Sequence, residues 1–267
     1  MPTRSTRPDA VRTRSRIDDP ARVERGHLVE LPDNIMGWVD TDYESMPATQ
    51  LALLDAAARA FTNFGFAAAS IDVIAAQIGA TKGSVYYHYR SKADLFFAVH
   101  KRAMVLNLRA QLPVVQDQSL DPVQKLQSMS YRHAMVMMEH LHYQRVTVQG
   151  VELHQSTTTS ASEREALKEV VAMRDAYEHL FENVLREGIA AGSLAAVEPS
   201  LASKGILGSL NWITVWYRPR KGDTFSSRHR IAEQLARQVT HGVSRDAPPL
   251  VGAVTARPLD QQAGSNG

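Results

Sequence analysis

"SIDVIAAQIGATKGSVYYHYRSKADLF", Ser70 to Phe96, decides how this chain folds. Ser70 precedes an apolar run of Ile71, Ile74, Ala75 and Ile78, and Gly79 closes it, so the spacing predicts a short capped helix. A second helix is predicted from Lys82 to His88, after Thr81. The "GAT" between them permits a sharp turn in which Gly79 takes the left-handed conformation, which makes a helix-turn-helix. Ile71, Ile74, Ile78 and Val85 share an apolar seam with Leu54 and Phe61, and Ala75 is small where the two helices cross. Lys82, Gly83, Ser84, Tyr87 and His88 are left facing outward, a set of donors and an aromatic edge suited to the DNA major groove. Tyr86 and Tyr87 leave the helix on different sides, with Tyr86 expected inward and Tyr87 outward. Ser70 and Ser91 each open a helix whose free N–H groups attract phosphate, and Lys92 stands on the second of these.

Outward from this stretch the helical period continues in both directions. Before it, Leu51, Leu54, Ala58 and Phe61 form one stripe, with Thr49 as cap and Gly65 as stop. After it, Ser91 caps a helix expected to end near Leu112, where Pro113 breaks it. Further helices are expected over Pro122–His140, Tyr143–His154, Glu163–Ala190, Pro199–Tyr217 and Ser226–Val243. No strand pair and no internal repeat are evident, so the chain is expected to be all-α.

Residues 1–46 contain five arginines before Ile17, scattered prolines and no periodicity. They are read as a disordered extension, with Arg4, Arg7, Arg12, Arg14 and Arg16 available as a phosphate or minor-groove arm as the alternative. Residues 246–267 are read as a disordered tail. Between these ends the division expected is a DNA-binding unit at 47–92 and a larger helical unit at 93–245.

Bulk composition narrows the function. The 267 residues are 44% hydrophobic and 22% charged, the balance of a protein with a real core. Without cysteine there is no disulfide and no thiol nucleophile. No apolar run approaches a membrane span, so a soluble, cytoplasmic protein without membrane contact is expected. Net charge is only +2, yet residues 48–110 hold seven Lys/Arg against three Asp, a local basic face. There is no Gly-rich nucleotide loop and no carboxylate pair at catalytic spacing, which speaks against an enzyme, and no cofactor is expected.

"LLDAAARAFTNFGFAAASIDVIAAQIGATKGSVYYHYRSKADLF", Leu53 to Phe96, resembles the DNA-binding region of TetR/AcrR-type transcriptional regulators. Tyr89 stands where many members have phenylalanine, and the extension before residue 47 is unusually long. The resemblance implies that Ser70, Thr81, Lys82, Ser84, Tyr87, His88 and Lys92 touch a double-stranded operator. It also implies a C-terminal helical domain that binds a small effector and pairs two subunits. The helices at 199–217 and 226–243 have the apolar stripes for a four-helix bundle across a two-fold axis, with Gly205, Gly208 and Ser209 allowing close approach.

"LGSLNWITVWYRPRKGDTF", Leu207 to Phe225, resembles a subgroup of the family that responds to acyl-coenzyme A thioesters. Trp212 and Trp216 are four apart with Asn211 beside them, either a flat pocket wall or a dimer seam. Arg218, Arg220 and Lys221 would meet phosphates at the mouth of such a pocket. The pocket is expected among the helices from 122 to 190, with Met129, His133, Met137, Tyr143, Arg145 and Tyr177 as candidate contacts. A repressor of an efflux transporter with a broad apolar pocket is the alternative. His133, His140, His142 and His154 lie near Glu139 but lack the i, i+4 spacing of ligand pairs on a helix, and no metal site is expected.

Overall fold

The computed structural model describes residues 34–41, 43, 45–155 and 160–244, with 149–155 described by backbone alone. Eleven helices run through these residues: α1 Ile35–Val39, α2 Ala48–Ala68, α3 Ile71–Ala76, α4 Lys82–His88, α5 Lys92–Val115, α6 Pro122–Glu139, α7 Leu141–Gln155, α8 Ala161–Ala190, α9 Pro199–Asn211, α10 Ile213–Trp216 and α11 Phe225–His241. An isolated bridge pairs Leu194 with Ser244. Among the described residues no helix is long and apolar enough to cross a membrane.

Two apolar cores organise these helices. Leu54, Phe61, Ile74 and Val85 pack α2, α3 and α4 against Leu95, Phe96 and Val99 at the start of α5. Met104, Val105 and Leu108, further along α5, belong instead to the larger core of α6, α8 and α9. One rigid helix is therefore common to the head and the body.

Caps set most of the boundaries. Ser70, Thr81 and Ser91 each accept a hydrogen bond from the N–H three residues on, which starts α3, α4 and α5 where the sequence places them. Full capping boxes open α6 at Asp121, α8 at Ser160 and α11 at Thr224.

Four expectations need correction. Pro113 does not end α5, because Leu112, Val114 and Val115 stay buried and the Gln116 N–H still reaches the Leu112 carbonyl. Gly65 kinks α2 at φ 74° rather than ending it, and helical turns resume to Ala68. The helix expected over 199–217 breaks at Trp212, where the Thr214 hydroxyl takes the Asn211 carbonyl at 2.7 Å. Of the extension expected to be disordered, residues 1–33 lie outside the described residues, but α1 is ordered against α5. Ile35 is fully buried in the larger core, and Arg109 donates to the carbonyls of Val39 at 3.0 Å and Thr41 at 2.8 Å. Five residues cannot hold a helix alone; burial of Ile35 and the arginine clamp hold this one. The tail expected at 246–267 also lies outside the described residues.

Candidate DNA interface and effector cavity

The head presents α4 with its buried side anchored and its other side bare. Thr81 Oγ1 accepts from the Ser84 N–H at 3.2 Å, and Gly79, at φ 65°, turns the chain between α3 and α4. Val85 is buried and Tyr89 half-buried, four residues apart on one face, while Gln50 Nε2 donates to the Tyr89 hydroxyl at 3.5 Å. Those two positions take the inward face, so Tyr86 cannot share it. At 44% exposed it corrects the inward expectation, whereas Tyr87 stands out at 86%. The Tyr87 ring meets His88 edge-on with centroids 5.1 Å apart. Lys82 and Gly83 are exposed and Ser84 half-buried on the same helix. Lys82 Nζ lies 3.1 Å from Asp72 on α3, an exposed pair that screens easily and leaves the ammonium available.

Ser70 and Lys92 each have partners within the head. Ser70 Oγ caps α3 through the Val73 N–H at 3.2 Å. Lys92 Nζ donates to the carbonyls of Phe66, Ala67 and Ala69 and sits over the Phe66 ring. An ammonium has three donors, and all three are used on the end of α2. The sequence placed Lys92 at a helix N-terminus correctly but could not show those carbonyls.

Head and body meet at an ionic joint that sequence reasoning missed. The Tyr143 hydroxyl on α7 donates to Asp55 of α2 at 2.6 Å, and Arg102 of α5 lies 3.5 Å from the same carboxylate oxygen. The Arg102 guanidinium also covers the rings of Tyr43 and Tyr143. Burial and the Asp55 bond push the Tyr143 hydroxyl far above the usual phenol range. Tyr143 therefore belongs to this joint.

A cavity of about 260 Å³ opens in the body among α5, α6, α7, α8 and α9. Of the expected contacts, His133, Met137, Tyr177 and Asn211 are on its wall. Three of these belong to a hydrogen-bonded chain. Gln111 Nε2 donates to the Met129 carbonyl at 3.2 Å and to the Tyr177 hydroxyl at 2.9 Å. The Tyr177 O–H then donates to His133 Nδ1 at 2.7 Å, and His133 Nε2–H to Asn211 Oδ1 at 3.1 Å, an arrangement in which the Gln111 amide, Tyr177 and His133 hydrogens each find an acceptor. Burial pushes the His133 imidazole down to about 4, so it is neutral at pH 7. The apolar part of the wall is Met104, Met137 and Leu207, and the exposed rim carries Arg174, Asp175 and Lys204.

The remaining expected contacts lie elsewhere. Met129 is fully buried one turn beyond His133, and only its carbonyl joins the network. Arg145 caps α10, donating to the carbonyls of Thr214 at 2.8 Å and Tyr217 at 2.9 Å. Arg218 likewise donates to the carbonyls of Val215 and Tyr217 instead of standing at the rim. Trp212 and Trp216 are 61% and 44% exposed and line an outer groove of about 830 Å³ between α9 and α11. Neither is on the wall of the cavity. Asn107, Gln144 and Thr147 line the wall without having been expected. The signal was available for one of them: Asn107 and Gln111, four apart, interrupt the stripe of Met104, Leu108 and Leu112. Among the described residues no three His, Asp or Glu gather as metal ligands.

Comparison with known proteins agrees with this architecture. Residues 53–99 match the family model described as bacterial regulatory proteins, tetR family, and residues 119–243 match the tetracyclin repressor-like C-terminal domain. The HTH-type transcriptional repressor KstR2 of Mycolicibacterium smegmatis is 26% identical over 207 residues, 76% of this chain and 95% of that protein. Among solved structures, the regulator PfmR of Thermus thermophilus superposes with a TM-score of 0.62 at 25% identity, covering 74% of this chain and 99% of that one. AibR, in complex with isovaleryl coenzyme A and operator DNA, superposes with a TM-score of 0.59 at 24% identity, covering 73% of this chain and 97% of that one.

Proposed function

The chain belongs to the TetR family of bacterial regulatory proteins, whose members are DNA-binding regulators rather than enzymes, and from that premise we propose a homodimeric repressor released from a palindromic operator by a small organic effector. Residues 47–92 form its DNA-binding unit and 93–245 its effector and dimer unit, and it works in the cytoplasm, on the chromosome. Thr81, Lys82, Gly83, Ser84, Tyr87 and His88 meet the major groove.

The α9–α11 groove is where the second subunit docks. Trp212 and Trp216 are exposed there, and a Cβ at Gly205 or Gly208 would meet nothing within 4 Å, so this apolar face lacks a covering within the chain. Pairing through it gives two recognition helices for successive major grooves, about 34 Å apart.

The observation that carries the mechanism is the double membership of α5. Leu95 and Phe96 belong to the head core, while Met104 and Asn107 form part of the cavity wall. An effector that prefers a tilted α5 moves the head with it and alters the spacing of the recognition helices. A hundredfold preference for the tilted arrangement supplies about 2.7 kcal/mol.

An acyl-coenzyme A thioester is the effector class that fits best. The cavity has room for an acyl group, Arg174 at its exposed rim offers a cation to the carrier, and AibR, of the same fold, is held with isovaleryl coenzyme A. A gel shift with the protein's own upstream DNA tests the reading. Binding at low salt that is released by acyl-coenzyme A supports it, no shift removes the operator, and a shift indifferent to thioesters removes that effector class.

A further inference from the structure

Asn107 is 3% exposed, lines the cavity, and its Oδ1 accepts no hydrogen bond among the described residues. Its neighbour favours one orientation of the amide. Gln144 Nε2 lies 3.5 Å from the Ala103 carbonyl, so Gln144 turns its Oε1 toward Asn107. Asn107 answers with Nδ2, 3.1 Å away, and Oδ1 is left as an unmet acceptor.

Gln111 Oε1 is a second unmet acceptor beside Tyr177, but Gln111 is not on the cavity wall. His133 and Tyr177 spend their hydrogens on Asn211 and on each other. The charged side chains, Arg174, Asp175, Glu178 and Lys204, are at the rim, where Lys204 pairs with Glu178. A carboxylate or phosphate at this depth would meet an acceptor and no cation. A hydrocarbon end would leave Oδ1 unmet, as it already is, whereas a donor that bonds it strengthens binding by about tenfold. A space of about 260 Å³ also holds only about nine water-sized groups, so an acyl chain or ring enters and any carrier stays outside.

We propose that the inserted end of the effector carries a hydroxyl or amide N–H that donates to Asn107 Oδ1, so that hydroxylated acyl or ring compounds are selected over the matching hydrocarbons. This rests on the reading of the cavity as the effector site and names the chemistry it selects.

Calorimetry on the full-length protein tests it with two matched pairs: hydroxyhexanoyl-coenzyme A against hexanoyl-coenzyme A, and cyclohexanol against cyclohexane. The hydroxyl member should bind about tenfold tighter or more, and Asn107→Leu, of similar volume, should abolish that preference. Equal binding within both pairs, or a hydroxyl preference that survives N107L, overturns the inference and leaves an acyl-coenzyme A effector standing. A preference seen only for the free ring alcohol upholds the inference and removes the carrier. If neither pair binds a protein that still shifts its operator, both readings fall. Where N107L does not fold, the wild-type pairs decide alone.

Discussion

The Lys92 ammonium donates to the Phe66 carbonyl at 2.8 Å and to those of Ala67 and Ala69 at 3.1 Å, tying the first residue of α5 to the last turn of α2. Replacing it with methionine keeps the stem against the Phe66 ring and deletes all three bonds. Lys92→Met should lower stability by about 2 kcal/mol in urea denaturation, near the low end for bonds to a charged group because the site is partly solvated. Its operator binding should keep the wild-type salt slope. A slope reduced by about one with stability unchanged would show a phosphate contact instead.

Tyr87 and Lys82 should behave in the opposite way. Tyr87 is 86% exposed and touches little besides His88, so Tyr87→Ala should leave the melting temperature in place. Operator affinity should fall by about 1–3 kcal/mol, read by fluorescence anisotropy. A variant that loses stability without losing affinity would remove α4 as the recognition element.

Gly65 sits at φ 74° and ψ 165°, a region in which a Cβ is strained even though the surrounding space is open. Gly65→Ala should cost about 1–3 kcal/mol in equilibrium unfolding. An unchanged midpoint would mean that the kink in α2 relaxes freely.

The exposed α9–α11 groove makes a prediction about assembly. Trp212→Glu puts a charge into its centre, and sedimentation should then find a monomer that no longer shifts its operator. Because Trp212 is 61% exposed in the single chain, the variant subunit should retain its helix content. A dimer that persists would place the two-fold contact on another face.

Acid should act on the body through His133. Its imidazole is pushed down to about 4 by burial, against an unfolded value near 6.5, so the unfolded chain binds more protons between those values. The stabilisation is whole above about pH 6.5 and is lost as pH falls toward about 4, an effect of order 3 kcal/mol. His140 and His142 are shifted the same way by burial and add to the acid limb. Thermal melts of His133→Gln across that window should therefore fall less steeply than wild type without becoming flat. Parallel curves would mean that His133 does not titrate on unfolding.

The helix-turn-helix was legible because its determinants are local. A cap at Ser70, a left-handed Gly79 and a cap at Thr81 all act within a few residues, and the structure keeps each of them. The same locality explains the capped starts of α3, α4 and α5. Where the reading failed, a distant partner decided. Pro113 should break a helix, yet burial of Val114 and Val115 carries α5 past it. Tyr86 is the local exception, since its neighbours Val85 and Tyr89 already hold the inward face.

Residue chemistry alone likewise marked His133, Met137, Tyr177 and Asn211 as contacts, and the fold gathers them from α6, α8 and α9 onto one wall. Tyr143, Arg145 and the tryptophan pair have the same chemical suitability, but packing commits them to Asp55, to the end of α10 and to the outer groove. What the sequence by itself determined was most of the helices, α1 and the break before α10 excepted, and the outward side of Tyr87 on α4, since caps, glycine turns and 3.6-residue periodicity act over short range. Only the tertiary structure decided which polar groups are already satisfied, as for Lys92, and which are left open, as for Asn107 Oδ1. A hydrogen bond is a contract between atoms far apart in the chain, and no local pattern records its second party.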